Sequence, residues 1–171
     1  THRNFNRIDN FSAFLTASPA VGSWHPQLTV GVQKQWAKIE HNGETLQMDT
    51  PLFFCTLNNG IQLPYHWTLS TDINFQSKGD YQNIYMYQNV FMMNATLTKS
   101  FLNEHLSIHL QGIDLTHGRK DGNRIYNKHM NMDVANVSDS RELRFTIRYK
   151  FNTTKSKYKG KGAATEEIKR L

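Results

Sequence analysis

The feature that most constrains the fold is a strict alternation of side-chain types near the end of the chain, from residue 140 to residue 152. Every second residue there is apolar or aromatic: Leu143, Phe145, Ile147, Tyr149 and Phe151. The residues between them are three cations and a threonine: Arg144, Thr146, Arg148 and Lys150. Successive side chains of a β-strand point to opposite faces, so this segment has one apolar face and one charged face. A strand about ten residues long with two such faces is typical of a transmembrane β-barrel.

The composition is compatible with a membrane protein that crosses the bilayer with strands. The chain has 171 residues, enough for one domain, and a mean hydropathy of −0.62. It contains no run of 18 apolar residues, which excludes a transmembrane helix. Barrel strands expose only alternate residues to lipid, so their average hydropathy is low. The single Cys55 is expected to be a small side chain on an apolar strand face.

Period-two patterns recur along the whole chain and predict about seven long strands. They lie at residues 11–17, 28–36, 53–63, 67–75, 91–101, 106–115 and 140–152. The predicted fold class is therefore all-β, an antiparallel up-and-down meander that forms the C-terminal segment of a transmembrane β-barrel. The apolar parity slips after Leu110, where Ile113 and Leu115 follow, which predicts a β-bulge at Gln111-Gly112.

The predicted connections alternate in length. Short turns are expected near 22–26, 64–65 and 102–104, and long polar loops near 38–50, 78–88 and 117–139, the last with residues 118–124 at its tip. Outer-membrane barrels have short periplasmic turns and longer extracellular loops, whereas a soluble meander has no reason to alternate in this way.

This geometry assigns surfaces to individual residues. The predicted lipid-facing residues are Leu143, Phe145, Ile147, Phe91, Leu97, Leu69 and Ile73. The predicted interfacial aromatic girdle comprises Trp24, Trp36, Tyr65, Trp67, Phe101, Tyr149 and Phe151, because amphipathic rings settle at headgroup level. The predicted lumen-facing residues are Arg144, Arg148 and Lys150. Lys34 interrupts the apolar face of its strand, and its long stem would let the ammonium reach an interface.

Three stretches resemble a known family. They are residues 57–69 with 75–79, residues 97–106 with Asp114-Leu115, and residues 141–152 with 158–160 and 166–171. Together they are similar to the C-terminal part of outer-membrane β-barrel proteins of the TonB-dependent receptor-like family. The resemblance covers the chain from about Trp24 to Leu171, and its motifs are mainly turn, girdle and end-strand residues.

The resemblance implies a large plugged barrel in the outer membrane of a Gram-negative bacterium, a receptor that transports a bulky nutrient. The implied partners are outer-membrane lipid, an N-terminal plug and further barrel strands absent from this sequence, an energy-coupling TonB-type protein acting through that N-terminal part, and the barrel-assembly machinery. On this interpretation the chain is a fragment, with barrel strands over residues 1–152 and a basic flexible tail over residues 153–171. Five lysines and one arginine against two glutamates give that tail a charge of +4 out of the net +6.

No chemistry-bearing motif favours an enzyme, so we expect no catalytic residues, no cofactor and no metal site. His105 and His109 share a strand face, but four residues along a strand span roughly 13 Å, too far for one metal ion. The basic charge lies in the tail, so no nucleic acid is expected as a partner. The alternative is a soluble antiparallel β-sandwich that binds carbohydrate or protein through its aromatic loops. A passive or gated porin of the same barrel fold is a further possibility, and the lumen cations would either balance acidic groups elsewhere or attract anionic cargo.

Overall fold

The computed structural model describes residues 7–137 and 139–151, and all regular elements in these ranges are β-strands. Seven of them are the long strands β1 (Ile8–Ala17), β2 (Trp24–His41), β4 (Leu52–Leu63), β5 (Trp67–Gln76), β8 (Val90–Phe101), β9 (Leu106–Ile113) and β12 (Glu142–Tyr149). The short ones are β3 (Glu44–Met48), β6 (Gly79–Tyr81), β7 (Ile84–Met86), β10 (Lys120–Tyr126) and β11 (Asn131–Val137). No helix in the described ranges is long and apolar enough to cross a membrane.

The long strands form one antiparallel meander in the order β1-β2-β4-β5-β8-β9-β12, with β3 paired to the far end of β2. Each long strand therefore pairs with the next long strand along the chain, which confirms the predicted fold class. The register places residues of like character opposite each other: Leu28, Leu57, Ile73 and Met93 lie in one row across four strands. Such cross-strand apolar neighbours are what stabilise and fix the register of a sheet.

The three long connections are not irregular loops, and this part of the sequence prediction is wrong. Residues 38–48 continue β2 and return as β3, while residues 79–86 and 120–137 form the hairpins β6-β7 and β10-β11. The two hairpins join edge to edge through β7 and β10 into a second sheet, β11-β10-β7-β6. We call this four-stranded unit the loop sheet. Residues 118–124, expected at a loop tip, instead lead into β10 and lie within it.

The hairpin between β2 and β3 follows from its turn residues. Asn42 and Gly43 both have positive φ, 52° and 84°, as the two central residues of a type I′ turn require. Asn-Gly is the strongest short sequence signal for such a hairpin. The signal is present in the chain, but the surrounding polar residues hid the strands on either side of it.

The predicted β-bulge at Gln111-Gly112 is also wrong in position. The register of β9 runs without a break from Leu106 to Ile113 against β12, and as far as Gly112 against β8. The extra residue comes later: Gly112 lies opposite Ala95, whereas the amide of Leu115 bonds to the carbonyl of Met93, so three steps on one chain oppose two on the other. Asp114 takes up the difference with a φ of 48°. The side chain of Leu115 folds back over Gly112 and so stays on the apolar face, which explains the slipped parity.

The last strand, β12, is shorter than the predicted 140–152, because regular pairing ends at Tyr149. Lys150 and Phe151 follow the end of β12, although the amide of Lys150 still bonds to the carbonyl of His105. The predicted basic tail at 153–171 lies outside the described residues.

Candidate functional site

One side of the main sheet, the apolar face, is continuous across all seven strands. Its central members are Phe11, Ala13, Leu15, Leu28, Val30, Val32, Phe53, Leu57, Ile61, Leu69, Ile73, Phe75, Phe91, Met93, Leu97, Ile108, Leu110, Leu143, Phe145 and Ile147. None of these side chains is buried. Apart from Pro26, the buried apolar side chains of the described residues are Ala37, Ile39, Met48 and Leu52, which lie on the opposite side of the sheet. A soluble sandwich would bury the apolar face against a second sheet, whereas a membrane protein turns it to lipid.

The polar residues on the apolar face have local partners. The Nζ atom of Lys34 lies 5.2 Å from the ring centre of Trp36, and that of Lys99 lies 5.0 Å from the ring centre of Trp67. Trp36 is the next residue of this face toward the end of β2, and Lys99 also lies 5.5 Å from Phe101 at the end of β8, so both ammonium groups have an aromatic ring on the side of the nearer sheet end. Asn59 donates to the Thr71 hydroxyl at 3.0 Å and accepts from the indole of Trp24 at 3.2 Å. The two bonds of Asn59 satisfy an amide that would be costly to leave unpaired in hydrocarbon.

The height of the apolar face matches a bilayer. On β8 it is bounded by the rings of Phe91 and Phe101, ten residues apart, or about 33 Å along the strand. A strand tilt near 40° reduces this to about 25 Å along the membrane normal, the height of the apolar band in outer-membrane barrels.

The residues predicted to contact lipid and headgroups lie on or beside this face. Leu69, Ile73, Phe91, Leu97, Leu143, Phe145 and Ile147 share its parity. Trp24, Tyr65, Trp67, Phe101, Tyr149 and Phe151 gather at the ends of the strands joined by short turns, and Trp36 lies toward the opposite end. Tyr149 and Phe151 form an edge-to-face pair with ring centres 4.6 Å apart. Their contacts with lipid remain predictions.

The other side of the main sheet, the polar face, carries hydroxyl, amide and imidazole groups that bond to each other across strands. Thr16 and Thr29 are joined at 3.0 Å, Thr56 donates to Asn74 at 3.2 Å, and His109 bonds to Thr98 at 2.9 Å. Arg144 and Arg148 have the parity of this face on β12, and Arg144 is paired with Glu142 at 2.9 Å. A face of this composition suits a hydrated channel wall.

The loop sheet folds over the polar face at the end of the strands joined by long connections. The buried side-chain amide of Gln35 on β2 makes two hydrogen bonds to the backbone of Gln82. It donates to the carbonyl at 2.8 Å and accepts from the backbone N–H at 2.6 Å. Asp80 and Thr50 exchange two further bonds at 2.8 and 2.9 Å. Burial raises the pKa of Asp80, against the opposing effect of these bonds. The loop sheet is therefore anchored to the wall by buried, directional contacts.

A small core forms where β2, β3 and the loop sheet meet. Ala37, Ile39 and Met48 are buried there, and Leu46, Tyr85 and Tyr126 pack against them. His41 contributes an edge-to-face contact with Tyr126 and bonds to the carbonyl of Asn127 at 2.7 Å. Tyr85 therefore packs on the polar side of the sheet. The isolated apolar residues of the long connections are the signal that could have revealed this core.

A cavity of about 500 Å³ lies between the loop sheet and the polar face. Its lining combines thioethers, amides and one guanidinium: Gln76, Met86, Gln88, Val90, Met92, Arg119, Gly122 and Asn123. The amide of Gln76 donates to the sulfur of Met86 at 2.8 Å, which links wall and loop sheet across the cavity. Mixed apolar and amide surfaces can hold an organic molecule by contact and hydrogen bonding. Within the described ranges no cluster of three metal-ligating side chains occurs.

Asp114 organises the segment that connects the wall to β10. Its carboxylate is buried and accepts bonds from the amides of Gly118 and Arg119 at 2.8 and 3.3 Å and from the hydroxyl of Ser140. Its own amide donates to Asn94 at 2.9 Å. Both ends of the β9–β12 connection are thus tied to one side chain. Sequence reasoning noted Asp114 only as part of a motif, because its partners are distant in the chain.

The comparisons with known proteins agree with this geometry. A family model described as the outer membrane protein beta-barrel family matches residues 1–149. No curated protein and no solved structure matches the chain. A family match over most of the chain favours a membrane barrel over the soluble sandwich. The chain therefore belongs to the outer membrane protein beta-barrel family and resides in the bacterial outer membrane.

Proposed function

We propose that this chain forms part of the wall of a pore that takes up a bulky nutrient, in a receptor of the TonB-dependent kind. The observation that carries the proposal is the pairing of a membrane-spanning apolar face with a polar face over which a structured loop sheet is folded. A wall of this kind needs no catalytic group, and we propose that the protein acts by passage of cargo and not by chemistry.

The open edges of the sheet support a larger barrel. Within the described residues, β1 and β12 each pair on one side only. In hydrocarbon, each unpaired backbone group costs several kcal/mol, so a membrane sheet has to close. We propose that further strands of the same protein pair with β1 and β12. Seven strands alone would also depart from the even strand numbers of bacterial single-chain barrels.

The loop sheet supports a role in cargo selection. It occupies the polar side of the wall at the extracellular end, where it narrows the space inside the barrel, and the cavity beneath it offers amides, thioethers and Arg119 to an entering molecule. A constriction built from bonded strands is stiffer than an irregular loop, because its backbone groups are paired. We propose that an N-terminal plug fills the rest of the lumen and couples the barrel to a TonB-type protein, as the resemblance implies.

The test is the intact gene product. We expect an N-terminal signal peptide, a plug domain and additional alternating strands, and we expect nutrient uptake by the intact protein to stop when the TonB-type protein is deleted. Uptake that persists without the TonB-type protein would point to a passive porin of the same fold. A gene product that begins near Thr1 and purifies without detergent would overturn the pore itself.

A further inference from the structure

The apolar face changes character at its extracellular end on β1 and β2. Lys34, Trp36 and Lys38 alternate on β2 with the parity of the apolar face, so they point outward at intervals of about 6.6 Å. Asp9 lies directly opposite Trp36 on β1. Arg7 lines the same cleft of about 370 Å³ as Trp36, Lys38 and Gln47. We call Arg7, Lys34, Trp36 and Lys38 the basic rim.

The acidic neighbours of the basic rim already have partners. Asp9 is paired with Arg7 at 2.9 Å, and Asp49 accepts from the amide of Gln47 at 2.8 Å. Glu40, the next outward residue on β2, is paired with Lys128 of the loop sheet at 3.2 Å. Lys34 and Lys38 make no ion pair within residues 7–137 and 139–151. Two outward ammonium groups thus remain for an external anion.

The position of the basic rim in the membrane follows from the fold. Long connections mark the extracellular side of an outer-membrane barrel, so the rim lies at the headgroup level of the outer leaflet. The ammonium of Lys34 leans toward Trp36, which is also the direction of the extracellular end. A lysine on a lipid-facing surface gains by placing its charge among headgroups. The groups that meet the rim there are those of the outer-leaflet lipid.

Lys99, at the opposite end of the same face, is a lysine whose ammonium group has its partners within the protein. Lys99 lies 5.0 and 5.5 Å from the ring centres of Trp67 and Phe101, and its ammonium also donates to the carbonyl of Tyr65. This cation is satisfied within the protein. The basic rim differs, because Lys34 has a ring contact with Trp36 but no such carbonyl acceptor among the described residues, and because Arg7, Trp36 and Lys38 line an open cleft.

We propose that the basic rim binds the phosphorylated sugar headgroup of a lipopolysaccharide molecule in the outer leaflet. The ammonium groups of Lys34 and Lys38 donate to phosphate oxygens, charge-assisted bonds that are stronger than neutral ones. The guanidinium of Arg7, exposed over most of its surface, can share its donors between Asp9 and the same phosphate. The indole of Trp36 packs against the sugar or the first carbons of an acyl chain. The lipid thereby orders the β1–β2 side of the wall.

The test compares the full-length protein with two double variants and one single variant in lipid vesicles. One set of vesicles contains phosphorylated lipid A and a second set contains dephosphorylated lipid A. A third set contains no lipid A, and inorganic phosphate is added to its buffer. The readout is the unfolding midpoint, followed by the heat-dependent mobility shift of barrel proteins in gels. We expect phosphorylated lipid A, and neither of the other additions, to raise the midpoint of the unmodified protein.

Three variants separate a lipid site from general effects of charge. Lys34→Gln with Lys38→Gln should lose most of the rise, Lys34→Arg with Lys38→Arg should keep it, and Lys99→Gln at the opposite interface should also keep it. The proposal is overturned if phosphorylated and dephosphorylated lipid A act alike, if the glutamine double variant responds as fully as the unmodified protein, or if inorganic phosphate alone reproduces the effect. If the glutamine double variant does not fold, the single variants Lys34→Gln and Lys38→Gln replace it, and an undiminished rise in both would overturn the proposal.

Discussion

Arginine substitutions at two neighbouring positions in the centre of β8 test the assignment of the two faces most directly. Thr96 and Leu97 are consecutive residues near the midpoint between Phe91 and Phe101, so both lie within about 3 Å of the membrane midplane. Leu97 has the parity of the apolar face and lies between Leu69 and Leu110 on the neighbouring strands. Thr96 has the parity of the polar face and lies between Ser70 and Gln111. An arginine at one position meets lipid, and at the other it meets the lumen.

The expected cost follows from the surroundings of each side chain. An arginine facing lipid at the midplane destabilises a barrel by about 2–4 kcal/mol. At about 1.4 kcal/mol per factor of ten, Leu97→Arg lowers the folding equilibrium constant by about 30- to 700-fold. Thr96→Arg exchanges one polar group for another beside a hydroxyl and an amide, and we expect a change within about 0.5 kcal/mol.

The assay is equilibrium unfolding of the full-length protein in lipid vesicles by denaturant, followed by tryptophan fluorescence. Leu97→Ala is a further control, because it removes the same side chain without adding charge. Equal costs for the arginines at 96 and 97, or a larger cost at 96, would refute the assignment of the faces. A matched pair at the free edge, Ile147→Arg and Thr146→Arg on β12, extends the test to the segment with the clearest alternation.

Three further predictions concern the extracellular end. A Cβ atom at Gly118 would collide with the carbonyl oxygen of Phe91. Gly118→Ala should therefore displace the turn around Asp114 and speed amide hydrogen exchange at residues 116–119. Gly60→Ala is the control and should not do so, because the nearest atom to its added Cβ is 3.9 Å away. Gln35→Ala removes two hydrogen bonds to the backbone of Gln82. In the same exchange measurement it should lower the free energy of opening the β6-β7 hairpin by roughly 1–3 kcal/mol, and Gln33→Ala is the control. Equal exchange in both variants would count against the anchoring role of Gln35. The hydrogen bond from Arg124 lowers the pKa of Asp133 below its ordinary value. The ionised Asp133 carboxylate therefore stabilises the β10-β11 hairpin fully above the pKa that it has in the unfolded chain, and this stabilisation is lost as the pH falls through its lower pKa in the folded protein. The protection of the hairpin amides, relative to their intrinsic exchange rates, should therefore fall as the pH drops below about 4, and an equal fall in Asp133→Asn would contradict this.

The main sheet could be predicted from sequence because its information is local. The alternation around Leu97 or Ile147 assigns every second residue to one face, and a face that is apolar across the whole sheet makes the pattern strong. The short turns at 64–66 and 102–105 follow from where that alternation stops. The predicted and observed long strands differ mainly at their ends. For example, β2 runs five residues beyond the expected end at Trp36, with Ala37 and Ile39 on its polar side.

The loop sheet could not be predicted because its contacts join segments far apart in the chain. β7 pairs with β10, so Met86 lies opposite Asn123, and neither strand has an alternating pattern long enough to be recognised by itself. Asp80 and Gln35 look like ordinary polar residues in sequence, and only their burial shows that they anchor the loop sheet. Side-chain bonds to a distant backbone leave no periodic signal.

The local pattern of the sequence thus determined the two faces of each long strand, because a period of two assigns side chains to faces directly. It also determined the number of long strands and the difference between short and long connections. The tertiary structure decided where the long connections go. Three polar connections bend to the polar side of the wall, bury Ile39 and Met48 among themselves, and close a cavity over Gln76 and Met92. That outcome depends on shape and on bonds between remote residues, since the polar face would otherwise offer those backbone groups only water.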